Sequence, residues 1–199
     1  MVDALTAALG RLYAWVLRLA GHRHAEPALA AVAFTESSFF PVPPDAMIVP
    51  MVLARRKRWI RIALIALVGS VAGGFLGYAI GYLLWDVIGA AILAFYRMGD
   101  AFAKFQAWYA DGGALIVFLA AFTPLPYKAV TIASGVVGMD LLAFGLASAA
   151  GRGLRFVIVA ALPAFLGERA EALIRRHARV ATWAGLALAV AVVAVAALA

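Results

Sequence analysis

The sequence predicts an all-α integral membrane protein: an inverted repeat with two opposed re-entrant helical hairpins, plus spanning helices and amphipathic interfacial helices. Three observations carry this. First, 66% of the 199 residues are hydrophobic and only 14% are charged, against about 45–50% and about 25% in soluble domains. Second, clustered prolines break two long apolar segments at related positions. Third, the basic residues gather in short stretches beside apolar ones. With a mean hydropathy of +0.99, a soluble enzyme, a disordered tail and a disulfide scaffold are excluded. The chain has no cysteine, so thiolate chemistry is absent. The net charge of +7 fits membrane topology and anionic lipid; no nucleic-acid partner is expected.

One membrane domain spans 1–199. Its parts are an amphipathic N-terminal helix (1–26), a first repeat (27–112), a second repeat (113–179) and a C-terminal transmembrane helix (180–199). In the first part Arg11 and Arg18 share a helical face while leucines fill the rest of the wheel, as in a helix lying on a membrane. No cleavable signal peptide is visible.

Residues 27–54 are apolar but contain Pro41, Pro43, Pro44 and Pro50. Prolines at this density cannot continue a helix. Two half-helices result, each short of the roughly 20 residues needed to cross a bilayer. A re-entrant hairpin with its tip at the prolines is expected. Residues 55–61 carry five positive charges and no negative one, which marks the cytoplasmic side. Residues 62–85 form a spanning helix. Along it Gly69, Gly73, Gly77 and Gly81 recur every fourth residue, a strip for close helix packing that suits an internal contact or a homodimer.

Residues 94–112 mix aromatics with Arg97, Asp100, Lys104 and Asp111 and predict an amphipathic helix at the opposite interface. Residues 113–139 are broken by Pro124 and Pro126 and predict a second hairpin. Residues 141–166 are a spanning length with Arg152 and Arg155 near the middle. A basic stretch, 167–179, precedes the uncharged final span. Segments 1–26, 55–61 and 167–179 hold 3, 5 and 4 Lys/Arg, against two in 94–112. The positive-inside rule then places the N-terminus in the cytoplasm and the C-terminus outside.

A shift of 83 residues lays Pro41-Val42-Pro43-Pro44-Asp45 on Pro124-Leu125-Pro126-Tyr127-Lys128, and Gly69 on Arg152. Broken segments at corresponding positions of two inverted halves are the transporter pattern, with the site at the repeat interface.

Five ionisable residues fall inside apolar segments: Glu36, Asp45, Lys128, Arg152 and Arg155. Each costs roughly 2.5–3.5 kcal/mol near the bilayer centre when unpaired, so they must pair, meet water or meet a ligand. The surplus is positive. Half-helices starting after Pro44 and after Pro126 would add N-terminal dipoles. Arg152 and Arg155, at i and i+3, share a helix face suited to a phosphate, and Gly151 and Gly153 would let the hairpin tips approach. The expected site is an anion pocket. Lys128, Arg152 and Arg155 would bind phosphate, and Glu36 and Asp45 would exchange protons. The opposing reading is a static clamp, Glu36 on Arg152 and Asp45 on Lys128, with Asp45 also a helix cap. Asp86 and Asp140 fall at interfaces without an assigned role. His22, His24 and His177 lie in polar flanks, so no metal site, cofactor or enzymatic chemistry is expected.

At these residues the chain resembles the DedA family of VTT (SNARE-associated) membrane proteins, most closely its YqaA-like subgroup. The resemblance rests on Phe34-Thr35-Glu36-Ser37-Ser38-Phe39-Phe40-Pro41-Val42-Pro43-Pro44-Asp45 and Phe122-Thr123-Pro124-Leu125-Pro126-Tyr127-Lys128. Gly135-Val136-Val137-Gly138-Met139 and Gly151-Arg152-Gly153-Leu154-Arg155-Phe156 also fit. It covers roughly residues 27–170. It implies opposed hairpins and lipid translocation in the bacterial inner membrane. The lipid would be undecaprenyl phosphate, or phosphatidylethanolamine and other phospholipids, with proton coupling in some members. Glu36 and Asp45 match the family's acidic pair. Its arginine pair does not match cleanly: Ala121 stands at the first place and Tyr127-Lys128 near the second. Two rivals remain: a proton-coupled exporter of a small soluble solute, and an assembly factor without transport.

Overall fold

The computed structural model describes residues 24–38, 43–85, 99–123 and 127–167, together with His22. Every regular element among them is helical. The expected N-terminal amphipathic helix, the basic stretch 168–179 and the final span lie outside the described residues.

The first proline cluster does divide its segment. Helix α1 (Ala25–Ser38) ends before it and α2 (Asp45–Ala54) starts directly after Pro44. With 10 residues, α2 is about 15 Å long, half the bilayer core. A 3₁₀ turn, Arg56–Arg58, leads into α3 (Trp59–Leu84). Helix α4 (Gly99–Phe122) stops at the second proline cluster, and α5 (Tyr127–Val136) follows it. Helix α6 covers Leu141–Leu166, the bounds expected from the sequence. The helices over 56–84 and 141–166 are long and apolar enough to cross a membrane.

One boundary differs. The interfacial helix over 94–112 and the first arm of the second hairpin are not separate, because α4 runs unbroken through Gly112-Gly113. A helical glycine costs only about 1 kcal/mol relative to alanine, whereas proline costs about 3; composition changes there without a stop signal.

Glycine does its work at the helix crossings. A Cβ on Gly69 would lie 2.5 Å from the Ala30 carbonyl oxygen, and one on Gly73 would overlap that of Phe34, so α1 packs directly on the first half of the α3 strip. Gly81 is closed off by the Ile132 carbonyl and Gly77 by the Thr131 hydroxyl, so α5 packs on the second half. The strip is consumed within the chain, and a homodimer would need another face.

Asp140, given no role by the sequence reading, is the N-cap of α6 and accepts from the Ala143 amide at 2.7 Å. The α5–α6 turn closes on Gly138 at φ +68, with Gly138 N–H donating to Gly135 and Met139 N–H to Ser134. That is a Schellman closure, which needs the left-handed conformation glycine adopts freely. Asp140→Ala is expected to lower stability by about 1 kcal/mol, seen as a lower melting temperature in detergent.

The arrangement has an internal correspondence. Asp45–Ala54 and Trp59–Leu84 are matched 82 residues later by Tyr127–Val136 and Leu141–Leu166. Packing follows the same rule crosswise: α1 lies on α3 and α4 on α6, while α2 crosses to α6 and α5 to α3. Two apolar cores result. One joins Leu29, Met47, Ile48, Val52, Ile62 and Phe156; the other joins Val117, Ala121, Tyr127 and Phe144.

Candidate intramembrane charge site

Four of the five charges that fall inside apolar segments meet where the broken segments come together. Glu36, in the last turn of α1, accepts from Arg152 of α6 at 3.1 Å. Asp45, the first residue of α2, accepts from Arg155 at 2.5 Å. One helical turn on α6 thus holds the ends of two elements from the first half of the chain. Arg155 also donates to the Thr123 carbonyl at 3.0 Å, where α4 ends. The guanidinium of Arg152 stacks over the Tyr127 ring at 4.2 Å, at the start of α5, a cation–π contact that strengthens when water is excluded.

The backbone approach behind this is specific. Gly151 abuts α4, since a Cβ there would come within 2.6 Å of the Phe118 carbonyl and 2.7 Å of the Ala121 methyl. The methyl at position 121 therefore packs against the very turn that carries Arg152. Gly153 does not share the expected role; its nearest neighbour is Leu67 at ordinary contact distance. Glu36 is steadied by its neighbours: the Ser37 hydroxyl reaches its carboxylate at 3.3 Å and Ser70 at 2.7 Å. The Ser38 hydroxyl bonds the Gly73 carbonyl at 3.0 Å. These serines went unassigned in the sequence reading. The available signal was a run of hydroxyls inside an apolar segment.

Arg152 is fully buried, while Arg155, Glu36 and Asp45 are partly open, their side chains between 19% and 27% exposed. Each guanidinium carries five donors. Arg152 Nε and Asp45 Oδ1 are buried with no hydrogen-bond partner, so the cluster retains unused capacity for a donor and for an acceptor. Buried polar atoms left unpaired cost about 1–3 kcal/mol each. Asp45 sits in the first turn of α2, the end its charge favours. It is not the cap, because Pro44 holds that position and makes no side-chain bond.

Lys128 stands apart. It lies in the first turn of α5, where its carbonyl accepts from Thr131 at 2.9 Å, and its ammonium forms no ion pair among the described residues. The alternative pairing of Asp45 with Lys128 is thereby replaced by Asp45 with Arg155. Pro43 and Pro44 flank the start of α2; Pro41, Pro124 and Pro126 lie outside the described residues.

The VTT domain family matches residues 40–165, from just past Glu36 to the end of α6. An uncharacterized protein of Haemophilus influenzae is 35% identical over 181 residues, covering 91% of this chain and 94% of its own. A homologue from Histophilus somni is 34% identical over 183 residues, covering 92% and 95%. No solved structure matches. With the family match running through both broken segments and the charged turn of α6, the chain belongs to the VTT-domain, or DedA, family of transporter-like membrane proteins.

Proposed function

We propose that this protein is a non-enzymatic lipid transporter, a flippase or scramblase of the bacterial inner membrane that moves a phosphate-headed lipid, undecaprenyl phosphate first among them. The observation that carries this is the pair of crossed ion pairs inside the membrane segment, Glu36 with Arg152 and Asp45 with Arg155. Intramembrane charge is functional by default. Here it joins the ends of broken helices, among them the N-terminus of α2 at Asp45, the end whose backbone dipole favours an anion.

The fold supports two opposed re-entrant hairpins, α1–α2 and α4–α5, related as an inverted repeat. The shared spacing of helix bounds and the crosswise packing both favour it. Basic flanks then put the N-terminus in the cytoplasm and the C-terminus outside.

In this mechanism the carboxylates hold the guanidiniums when no substrate is present. Protonation of Glu36 or Asp45 removes the competing charge. Arg152 and Arg155 then turn their free donors to the lipid phosphate, with Lys128, in the first turn of α5 next to Tyr127, as an additional cation. The prenyl or acyl tail stays in the bilayer throughout. Deprotonation restores the ion pairs and releases the head group. Asp45→Asn mimics the protonated state, so transport by this variant is expected to continue without its dependence on a pH gradient.

A second reading has its own observation. The closed cluster is balanced, two carboxylates against two guanidiniums, which also complements a zwitterion. Phosphatidylethanolamine, with an ammonium and a phosphate, fits such a cluster as a general scramblase substrate would. Reconstitution in liposomes with fluorescent polyprenyl phosphate or phosphatidylethanolamine, read with a membrane-impermeant quencher, decides between the two. Protection lost for polyprenyl phosphate alone supports the anion pocket, and equal loss for both supports the scramblase. Loss for neither, from folded protein, overturns lipid transport and favours a soluble-solute exporter or an assembly factor.

A further inference from the structure

We infer a second lipid site, separate from the transport cluster and going beyond that reading: a groove of about 750 Å³ along α3 and α1 that holds an anionic glycerophospholipid. Its mouth carries Lys57, Arg58 and Arg61. Its body runs down one face of α3 past Ile60, Leu64 and Val68, which are 57%, 53% and 68% exposed. Small residues, Ala30, Gly69 and Ala72, give it depth.

The dimensions suit one leaflet. From Ile60 to Ala72 the helix rises roughly 18 Å, close to half of a bilayer core of about 30 Å. An acyl chain lying there would start at the basic mouth and end near the midplane. A smaller cleft of about 210 Å³ flanks the same Ile60–Leu64 ridge on its other side, against Leu67, Gly153 and Val157. It seats the second chain of a lipid astride α3.

The mouth selects charge. Glu26 accepts from Arg61 at 2.8 Å and lies 3.8 Å from Arg58, and it is the only carboxylate ion-paired there among the described residues. Three cations against one carboxylate leave a surplus of two. Lys57 has no ion pair among the described residues, and the side chains of Arg58 and Arg61 are more than half exposed. Glu26 thus orients two guanidiniums without using their full donor sets. A phosphodiester with net negative charge completes the ledger, whereas a zwitterionic head brings a cation against cations. No residue lining the groove belongs to the ion-paired cluster of Glu36, Asp45, Arg152 and Arg155, so its occupant is a resident lipid and not the cargo.

The test is native mass spectrometry of the full-length protein, released from detergent after incubation with equimolar phosphatidylglycerol and phosphatidylcholine. The wild type is expected to retain phosphatidylglycerol preferentially. Lys57→Gln with Arg58→Gln, which leaves the Arg61–Glu26 pair intact, is expected to cut that preference about fivefold per charge removed. Val68→Trp, at an exposed position that fills the groove, is expected to reduce retention of both lipids. Arg152→Ala, which removes the transport site, is expected to leave the preference for phosphatidylglycerol, per folded molecule, unchanged. Equal retention of the two lipids by the wild type overturns the site, as does a preference that survives the double substitution. Because the chain has no cysteine, Val68→Cys takes a single spin label. A label already immobilised without lipid, with neither lipid retained, assigns the face to another segment of the chain or a second copy and overturns it as well.

Discussion

Arg152→Ala is expected to abolish lipid transport in reconstituted liposomes while the protein still inserts in the membrane. Arg152 is the most buried charge of the cluster and contacts three elements: α1 through Glu36, α5 through the Tyr127 ring, and α4 through the packing of its own turn at Gly151. Removing one partner of a fully buried pair costs about 3–5 kcal/mol. The cost here falls below that range because the Glu36 side chain is 22% exposed and can be hydrated. The folded fraction should fall without vanishing, so transport is normalised to folded protein. Arg152→Lys keeps the charge but loses the planar fork and is expected to restore the folded fraction and transport only in part. The neutral pair Glu36→Gln with Arg152→Gln separates two meanings of the contact. A static clamp tolerates a neutral hydrogen-bonded pair and retains transport; a substrate site loses it. Full transport by Arg152→Ala would remove this residue from the mechanism.

The second large effect is structural. Gly73→Leu is expected to prevent the packing of α1 on α3, and Gly73→Ala to destabilise by about 1–3 kcal/mol, the usual range for overpacking. A Cβ at this position meets the carbonyl oxygen, carbonyl carbon and Cα of Phe34, all backbone atoms that cannot rotate away. Helix α1 would have to withdraw, breaking the Ser38 bond to the Gly73 carbonyl. Glu36, two residues earlier on the same helix, would draw back from Arg152. Transport per folded molecule should therefore fall with stability in Gly73→Ala. Gly112→Ala is the control: nothing lies within 4 Å of its Cβ position, and alanine there should be neutral or stabilising by up to about 1 kcal/mol. Thermal unfolding in detergent and monodispersity on size exclusion measure both. Equal melting temperatures for the two alanine variants would contradict the packing described for the strip.

The helices were legible because their signals are local. Proline removes a donor and clashes with the preceding turn wherever it stands, so both breaks could be placed from sequence. Uninterrupted apolar length placed α3 and α6. The join within α4 was misread because composition changed from amphipathic to apolar without a stop signal, and a glycine pair does not end a helix. Asp140 looked like one more interfacial charge; its capping bond follows from where α6 begins, a boundary uncertain by a residue or two in sequence.

The sequence by itself determined that this is a helical membrane protein, that two segments are broken, and that five charges must find partners inside apolar segments. Those conclusions rest on composition, proline geometry and desolvation, which do not depend on what packs where. Only the tertiary structure decided the partners. Glu36 and Arg152 are 116 residues apart, Asp45 and Arg155 110, and no local rule selects Arg155 over Lys128 for Asp45. The choice is made by the glycine crossings at Gly69, Gly73 and Gly151, which bring backbones close enough for side chains on different helices to meet. Whether a guanidinium faces a carboxylate, a ring or the lipid is a property of that packing, because an ion pair forms only over a few ångströms.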